Sequence, residues 1–165
     1  MSHVQSFPPI IAPGARLLIL GSMPGAASLS AGQYYAHPRN AFWPILGTLC
    51  GFPAEAPYAV RVAALQVAGV AVWDVLQSCV RPGSLDTAIE RSSEVANDIV
   101  GLLARHPGIR RIGFNGGTAE AAFRRHVPAA AVAGLQLLRL PSTSPANASW
   151  SFERKLAAWS AAFEE

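Results

Sequence analysis

Four short apolar runs constrain this chain more than any other feature: residues 16–20 (RLLIL), 69–73 (GVAVW), 111–114 (RIGF) and 135–140 (LQLLRL). Most are near-continuous rather than alternating, as strands are when helices cover both faces of a parallel sheet. The fourth alternates more and suits an edge. Between them lie helical patterns. Phe42, Ile45, Leu46 and Leu49 recur at helical spacing, with Asn40 placed to cap the start and Pro44 deep enough to make that start irregular. Thr87 to Glu90 has capping-box spacing and predicts a helical opening there. Val95, Ile99, Leu102 and Leu103 form a second pattern that ends at His106-Pro107-Gly108. Ala119, Ala122 and Phe123 mark a short helix, and Phe152, Leu156, Trp159 and Phe163 line a last one. Strands alternating with helices in this way predict an α/β class. The expected architecture is a three-layer α/β/α sandwich around a short, mainly parallel four-stranded sheet.

At 165 residues the chain suits one domain, residues 1–165, and no internal repeat or linker divides it. Apolar residues at 51% against 14% charged exclude an intrinsically disordered chain. The charge of +3 is compatible with an anionic partner but too small to require one. Two cysteines, Cys50 and Cys79, cannot make a disulfide framework or a four-thiolate site. The most apolar long stretch, residues 59–76, carries Arg61, Gln66 and Asp74, which argue against a membrane span. Pro8, Pro9 and Pro13 stand where a signal peptide would be apolar, so a cytoplasmic protein is expected, most simply a monomer.

In doubly wound sheets ligands bind beyond the carboxyl ends of the strands, which makes the segments just after each run the place to seek chemistry. The first run enters Gly21-Ser22-Met23-Pro24-Gly25, where tight turns and backbone N–H groups can receive an anion or a carbonyl oxygen. No Gly-Lys-Ser/Thr follows, and Ser22 is not centred as in a nucleophile elbow. Residues 34–43, YYAHPRNAFW, form the densest polar–aromatic cluster in the chain. There Tyr35 offers a stacking face, Arg39 suits phosphate, Asn40 can orient a water or cap a helix, and His37 is an accessory candidate. Trp73-Asp74 ends the second run, and Arg81-Pro82-Gly83-Ser84-Leu85-Asp86 follows; Asp74 and Asp86 suit turn and cap roles as well as substrate contact. Asn115-Gly116 ends the third, with an amide able to bond a nucleobase edge or simply to turn. The fourth leads into Pro141-Ser142-Thr143-Ser144-Pro145-Ala146, a stiff hydroxyl-rich loop suited to phosphates and to wedging a base stack.

Taken in order, these segments resemble the uracil-DNA glycosylase superfamily, and within it the hypoxanthine-DNA (deoxyinosine) glycosylase family. The likeness runs from about Leu18 to Trp150. It comprises the GSMPG loop, the YAHPRN-x-FW run, Trp-Asp-Val-Leu, Phe-Asn-Gly and LPSTSPA. Most superfamily members carry Asn, Asp or Glu in the first motif to position the attacking water. Ser22, Met23 and Pro24 supply none of these, and the resemblance assigns that role to Asn40, favouring deaminated adenine over uracil.

The resemblance implies a monofunctional enzyme without metal or cofactor, acting on double- or single-stranded DNA at a flipped base. Tyr35 would stack on that base, while Asn115 and backbone N–H groups near Met23 and Gly25 bond its edge. Ser142, Thr143, Ser144 and Pro145, with Arg39, would grip the DNA, and Ser22 and His37 would assist. Lys155, the only lysine, lies outside these motifs, which argues against Schiff-base chemistry. Three alternatives stay open: a mismatch glycosylase for uracil or thymine opposite guanine, a non-catalytic nucleic-acid-binding module, and a hydrolase using His37 or His126 with Asp74.

Overall fold

The computed structural model describes residues 2–164. Its centre is a four-stranded parallel sheet of β2 (Leu17–Gly21), β3 (Val70–Asp74), β6 (Arg111–Asn115) and β7 (Gln136–Leu140), ordered β3-β2-β6-β7. Every residue of β2 and β3 is buried, so their unbroken apolar sequences are those of strands covered on both faces. Register is direct: Ile19 pairs with Val72 on one side and Gly113 on the other. β7 lies at an edge, and its alternating sequence leaves Gln136 and Arg139 exposed.

Side chains alternate between two cores. Leu18, Leu20, Ile112 and Phe114 pack with α4 (Ile99–Arg105) and α5 (Gly117–His126). Leu17, Ile19, Val70 and Val72 pack with α2 (Phe42–Cys50), α3 (Tyr58–Val67) and α6 (Phe152–Ser160). Helices thus cover both faces of the sheet, as the expected three-layer arrangement requires. The short α1 (Ala26–Ala31) follows the loop after β2.

Three local expectations are corrected. Thr87 to Glu90 does not open a helix: a 3-10 turn, Asp86–Ala88, leads into β5 (Glu90–Ala96). That strand pairs with β4 (Leu76–Val80), which pairs in turn with β1 (His3–Gln5) in a second, antiparallel sheet of order β1-β4-β5. Ladder bonds to β4 satisfy this backbone where a capping box alone buries no apolar face. Val95 therefore belongs to β5, and α4 begins four residues later, where Asp98 Oδ1 accepts from Gly101 N at 2.9 Å. The last helix ends at Ser160, and Phe163 sits in a following 3-10 turn. Pro44 falls within the first turn of α2, where its missing N–H has no intrahelical partner to lose.

Among the described residues no helix is long and apolar enough to cross a membrane. At the junction of β3 and β4, Val75 N donates to Gly21 O at 2.8 Å and Leu76 N to Ser22 O at 3.2 Å. The side chain of Asn97 braces that junction by donating to the carbonyls of Asp74 and Leu76. The first loop is in this way laid along the start of the second sheet.

Candidate active site

A cleft of about 720 Å³ opens at the carboxyl ends of the parallel strands. It is bordered by residues 21–28 after β2, Tyr34, Tyr35, His37 and Asn40 before α2, Asp74 at the end of β3, residues 84–87, Asn115 to Gly117, and residues 139–147. The site candidates Ser22, Met23, Gly25, Tyr35, His37, Asn40, Asn115, Ser142, Thr143, Ser144 and Pro145 all lie on this wall. Arg39 does not; it is exposed on the loop outside.

Thr143 is the knot that draws the segments together. Its N–H donates to Asn115 Oδ1 and its hydroxyl accepts from Asn115 Nδ2, each at 2.9 Å. Its carbonyl accepts from Ala41 N at 3.0 Å. Gly116 permits the same closeness: it has φ of +95°, and a Cβ there would stand 3.1 Å from Ser142. Thr143 is fully buried. The expectation that it grips DNA is therefore corrected: with no exposed atom it ties the loop down, leaving Ser142, Ser144 and Pro145 as the accessible part. The Asn115 amide is engaged by this clasp at its oxygen and at one N–H, so one hydrogen remains for a ligand.

Asn40 Oδ1 accepts from Phe42 N at 2.9 Å, a local turn just ahead of α2 that fixes the carboxamide at the cleft wall, while the N-cap position itself is Ala41. The amide's orientation follows, since the atom facing a backbone N–H must be the oxygen. The expectation that Asn40 caps α2 is corrected: Ala41 is the N-cap, and Asn40 turns the chain into it from the cleft wall. His37 Nδ1 accepts from Arg39 N at 3.1 Å, which holds the ring against its own loop.

Tyr35 adopts φ of +53°, the left-handed region that side chains disfavour by about 1–2 kcal/mol. The turn lays its ring on Phe42, with centroids 4.1 Å apart and planes 19° from parallel. Burial, reinforced by the Asp74 carboxyl, pushes the Tyr35 phenol far above its usual range, with the Asn115 amide acting weakly against it. Tyr34 is buried at the border of the cleft: its hydroxyl donates to Pro8 O at 2.9 Å and its carbonyl accepts from Trp43 Nε1 at 2.8 Å.

The first loop is held from the other side by residues whose role the sequence left open. Arg81, 1% exposed, donates through Nη2 to Pro24 O at 2.6 Å and through Nε to Gly83 O at 2.8 Å. Ser84 Oγ accepts from Ala26 N at 2.8 Å, and Ser22 Oγ donates to Asp86 Oδ1 at 2.7 Å. Ser22 is thus buried and committed to a carboxylate, not poised as a nucleophile. Asp74, 3% exposed, is pushed up to about 7 by burial first and by Asp86 second, with Arg81 opposing. Gly21 packs so tightly against it that a Cβ would stand 2.5 Å from Asp74 Oδ1 and 2.9 Å from the Tyr35 hydroxyl.

Sequence reasoning passed over Trp150 and Arg139 on the cleft wall. The Arg154 guanidinium lies 4.2 Å from the Trp150 ring centroid, and Arg139 is paired with Glu120. Their signal was available: each sits close to the second-motif loop, and an aromatic with a basic partner is a recurrent nucleic-acid surface. His126, one candidate for a hydrolase, instead contacts Glu94 at 2.8 Å, and it does not line the cleft.

Comparison with known proteins places this geometry in context. Residues 8–163 match the model of the uracil DNA glycosylase superfamily. A protein of Methanosarcina barkeri named hypoxanthine DNA glycosylase is 34% identical over 97% of this chain and 98% of its own length. One of the same name from Methanosarcina acetivorans is 33% identical over 96% and 97%. A solution NMR structure from Methanosarcina acetivorans, provisionally described as a uracil DNA glycosylase, superposes with a TM-score of 0.77. It is 30% identical and the match covers 98% of this chain and 99% of that one.

Proposed function

The chain belongs to the uracil DNA glycosylase superfamily, and from that premise we propose that it removes hypoxanthine from deoxyinosine in DNA by direct hydrolysis. As a DNA glycosylase it breaks the bond between a base and deoxyribose. In a duplex that bond is hidden, so the nucleotide must swing out into the cleft. The observation that carries the reading is the position of Asn40, whose carboxamide is fixed by its bond from Phe42 N on the wall it shares with both loops.

Cleavage develops positive charge on the sugar and negative charge on the departing base. Tyr35 stacks on the extruded base. The remaining amide hydrogen of Asn115 and backbone N–H groups at Met23 and Gly25 bond its edge and stabilise the growing charge. Asn40 holds the water beside the anomeric carbon. A carboxamide is no base at neutral pH, so its contribution is orientation of that water and electrostatic support. Ser142, Ser144 and Pro145 press on the strand and fill the gap left by the flipped base, while Arg39 meets a phosphate from outside the cleft.

An oligonucleotide with a single deoxyinosine is incubated with the protein, treated with alkali and resolved for strand breaks. Breaks at deoxyinosine exceeding those at uracil or at thymine opposite guanine are expected. Equal or better cutting at uracil would move the activity to the mismatch branch, and tight binding without cutting would indicate a binding module.

A further inference from the structure

Buried carboxyl oxygens in folded proteins are almost always hydrogen-bonded, because an unpartnered one is costly. Asp74 Oδ2 departs from this rule: no group among the described residues hydrogen-bonds it, and the Tyr35 hydroxyl beside it is in the same position. Both side chains line the cleft. The Asp74 main chain is pinned where Asn97 donates to its carbonyl at 2.8 Å, and the Tyr35 ring is stacked on Phe42. The other acidic and imidazole side chains on the wall, Asp86 and His37, each hold one hydrogen bond. Asp86 Oδ1 accepts from Ser22, and His37 Nδ1 accepts from a backbone N–H.

A purine departs poorly as an anion and well as a neutral molecule, and N7 is the most basic ring nitrogen of an inosine. Asn40 has no proton to give it. Building on the hypoxanthine reading above, we propose that Asp74, in its protonated form, is the general acid that delivers a proton to N7 of the departing base. The Asp74 O–H bond breaks as the N7–H bond forms, and the electron pair of the C1′–N9 bond passes into the ring. Neutral hypoxanthine leaves in its N7–H form. The water held by Asn40 adds to C1′ and releases one proton to solvent, which restores the Asp74 acid.

The surroundings suit that role. The groups facing Asp74 are the Tyr34 and Tyr35 phenols, Asp86 from the segment after β4 and Arg81 from its end. Both phenols are held neutral by burial, and Arg81 is tied to two carbonyls while Asp86 disfavours a second negative charge nearby. The carboxyl accordingly titrates at about 7, where an acid both holds its proton and gives it up readily.

The test is the single-turnover rate of hypoxanthine release from a deoxyinosine duplex between pH 5 and 9, with enzyme in excess. Wild-type rate should fall on the alkaline side of a midpoint near 7. Asp74→Asn should lower the rate about 10²- to 10⁴-fold and abolish that limb. Asp86→Asn, which keeps the Ser22 bond but removes the like charge, should move the limb to lower pH. A duplex with 7-deaza-2′-deoxyinosine should bind but resist cleavage. A limb that persists in Asp74→Asn, a rate within about threefold of wild type, or ready cleavage of the 7-deaza duplex would overturn the assignment. Should Asp74→Asn fail to fold, the Asp86→Asn limb and the 7-deaza duplex still decide. Wild-type protein that releases no hypoxanthine at any pH would instead refute the substrate reading on which this rests.

Discussion

Replacing Asp74 with asparagine probes the buried carboxyl without any DNA present. The two side chains have the same shape, but only one can ionise. In the fold the carboxyl titrates at about 7 against an ordinary 3.8, chiefly because burial disfavours its charged form. A raised carboxyl pKa means that the native state holds its proton more tightly than the unfolded chain. Below pH 4 both states are protonated and the residue carries no penalty. As pH rises from about 4 the unfolded chain ionises first, and stability is lost until the native carboxyl also ionises near 7; above that the loss is constant. At about 1.4 kcal/mol per pKa unit the ceiling is about 4 kcal/mol, and reorganisation around a cleft-lining charge lowers it to about 2. Urea unfolding of both proteins between pH 4 and 8.5 checks this, since titrating groups remote from Asp74 cancel in the difference. Asp74→Asn should gain steadily over wild type between pH 4 and 7 and level off beyond. A difference that is flat with pH, or that shrinks as pH rises, would refute the reasoning.

Gly21→Ala forces a Cβ against the Asp74 carboxyl and the Tyr35 hydroxyl. It should destabilise the fold by about 1–3 kcal/mol and sharply reduce strand breaks at deoxyinosine, read by thermal melting and the nicking assay. Asn115→Ala strips two hydrogen bonds from the buried Thr143. A loss of about 2–3 kcal/mol in urea unfolding is expected, with faster amide exchange at Thr143 while β6 stays protected. Tyr35→Ala should weaken binding to deoxyinosine DNA by about 1–3 kcal/mol and leave affinity for an abasic duplex unchanged; equal loss on both would remove the stacking role.

How much of this was legible in the sequence depends on how local each signal is. The four parallel strands were readable to within about a residue, because burial on both faces demands unbroken apolar runs such as LLILG and VAVWD. The edge position of β7 was visible in its alternation. The antiparallel sheet was not, since β1 and β5 are mostly exposed and carry polar sequences, HVQ and ERSSEVA, that only their pairing with β4 makes into strands. Helix α3 was hidden inside a stretch apolar enough to be weighed only as a membrane span. The wall of the cleft was legible because ligand loops follow strand ends. What was not legible is what holds it. Ser22 meets Asp86 across 64 positions and Arg81 meets Pro24 across 57, and neither pairing leaves a periodic trace. Thr143 looked like one hydroxyl among several in its loop, and only its complete burial separates it from Ser142 and Ser144.

One carboxamide, that of Asn40, is central to the proposed hydrolysis. Wild-type protein and Asn40→Ala are each held in excess over a deoxyinosine duplex, and the free base released in a single turnover is measured at equal DNA occupancy. Hypoxanthine release slowed about a hundredfold or more, with DNA affinity nearly unchanged, is the predicted result. Release at the wild-type rate would contradict it.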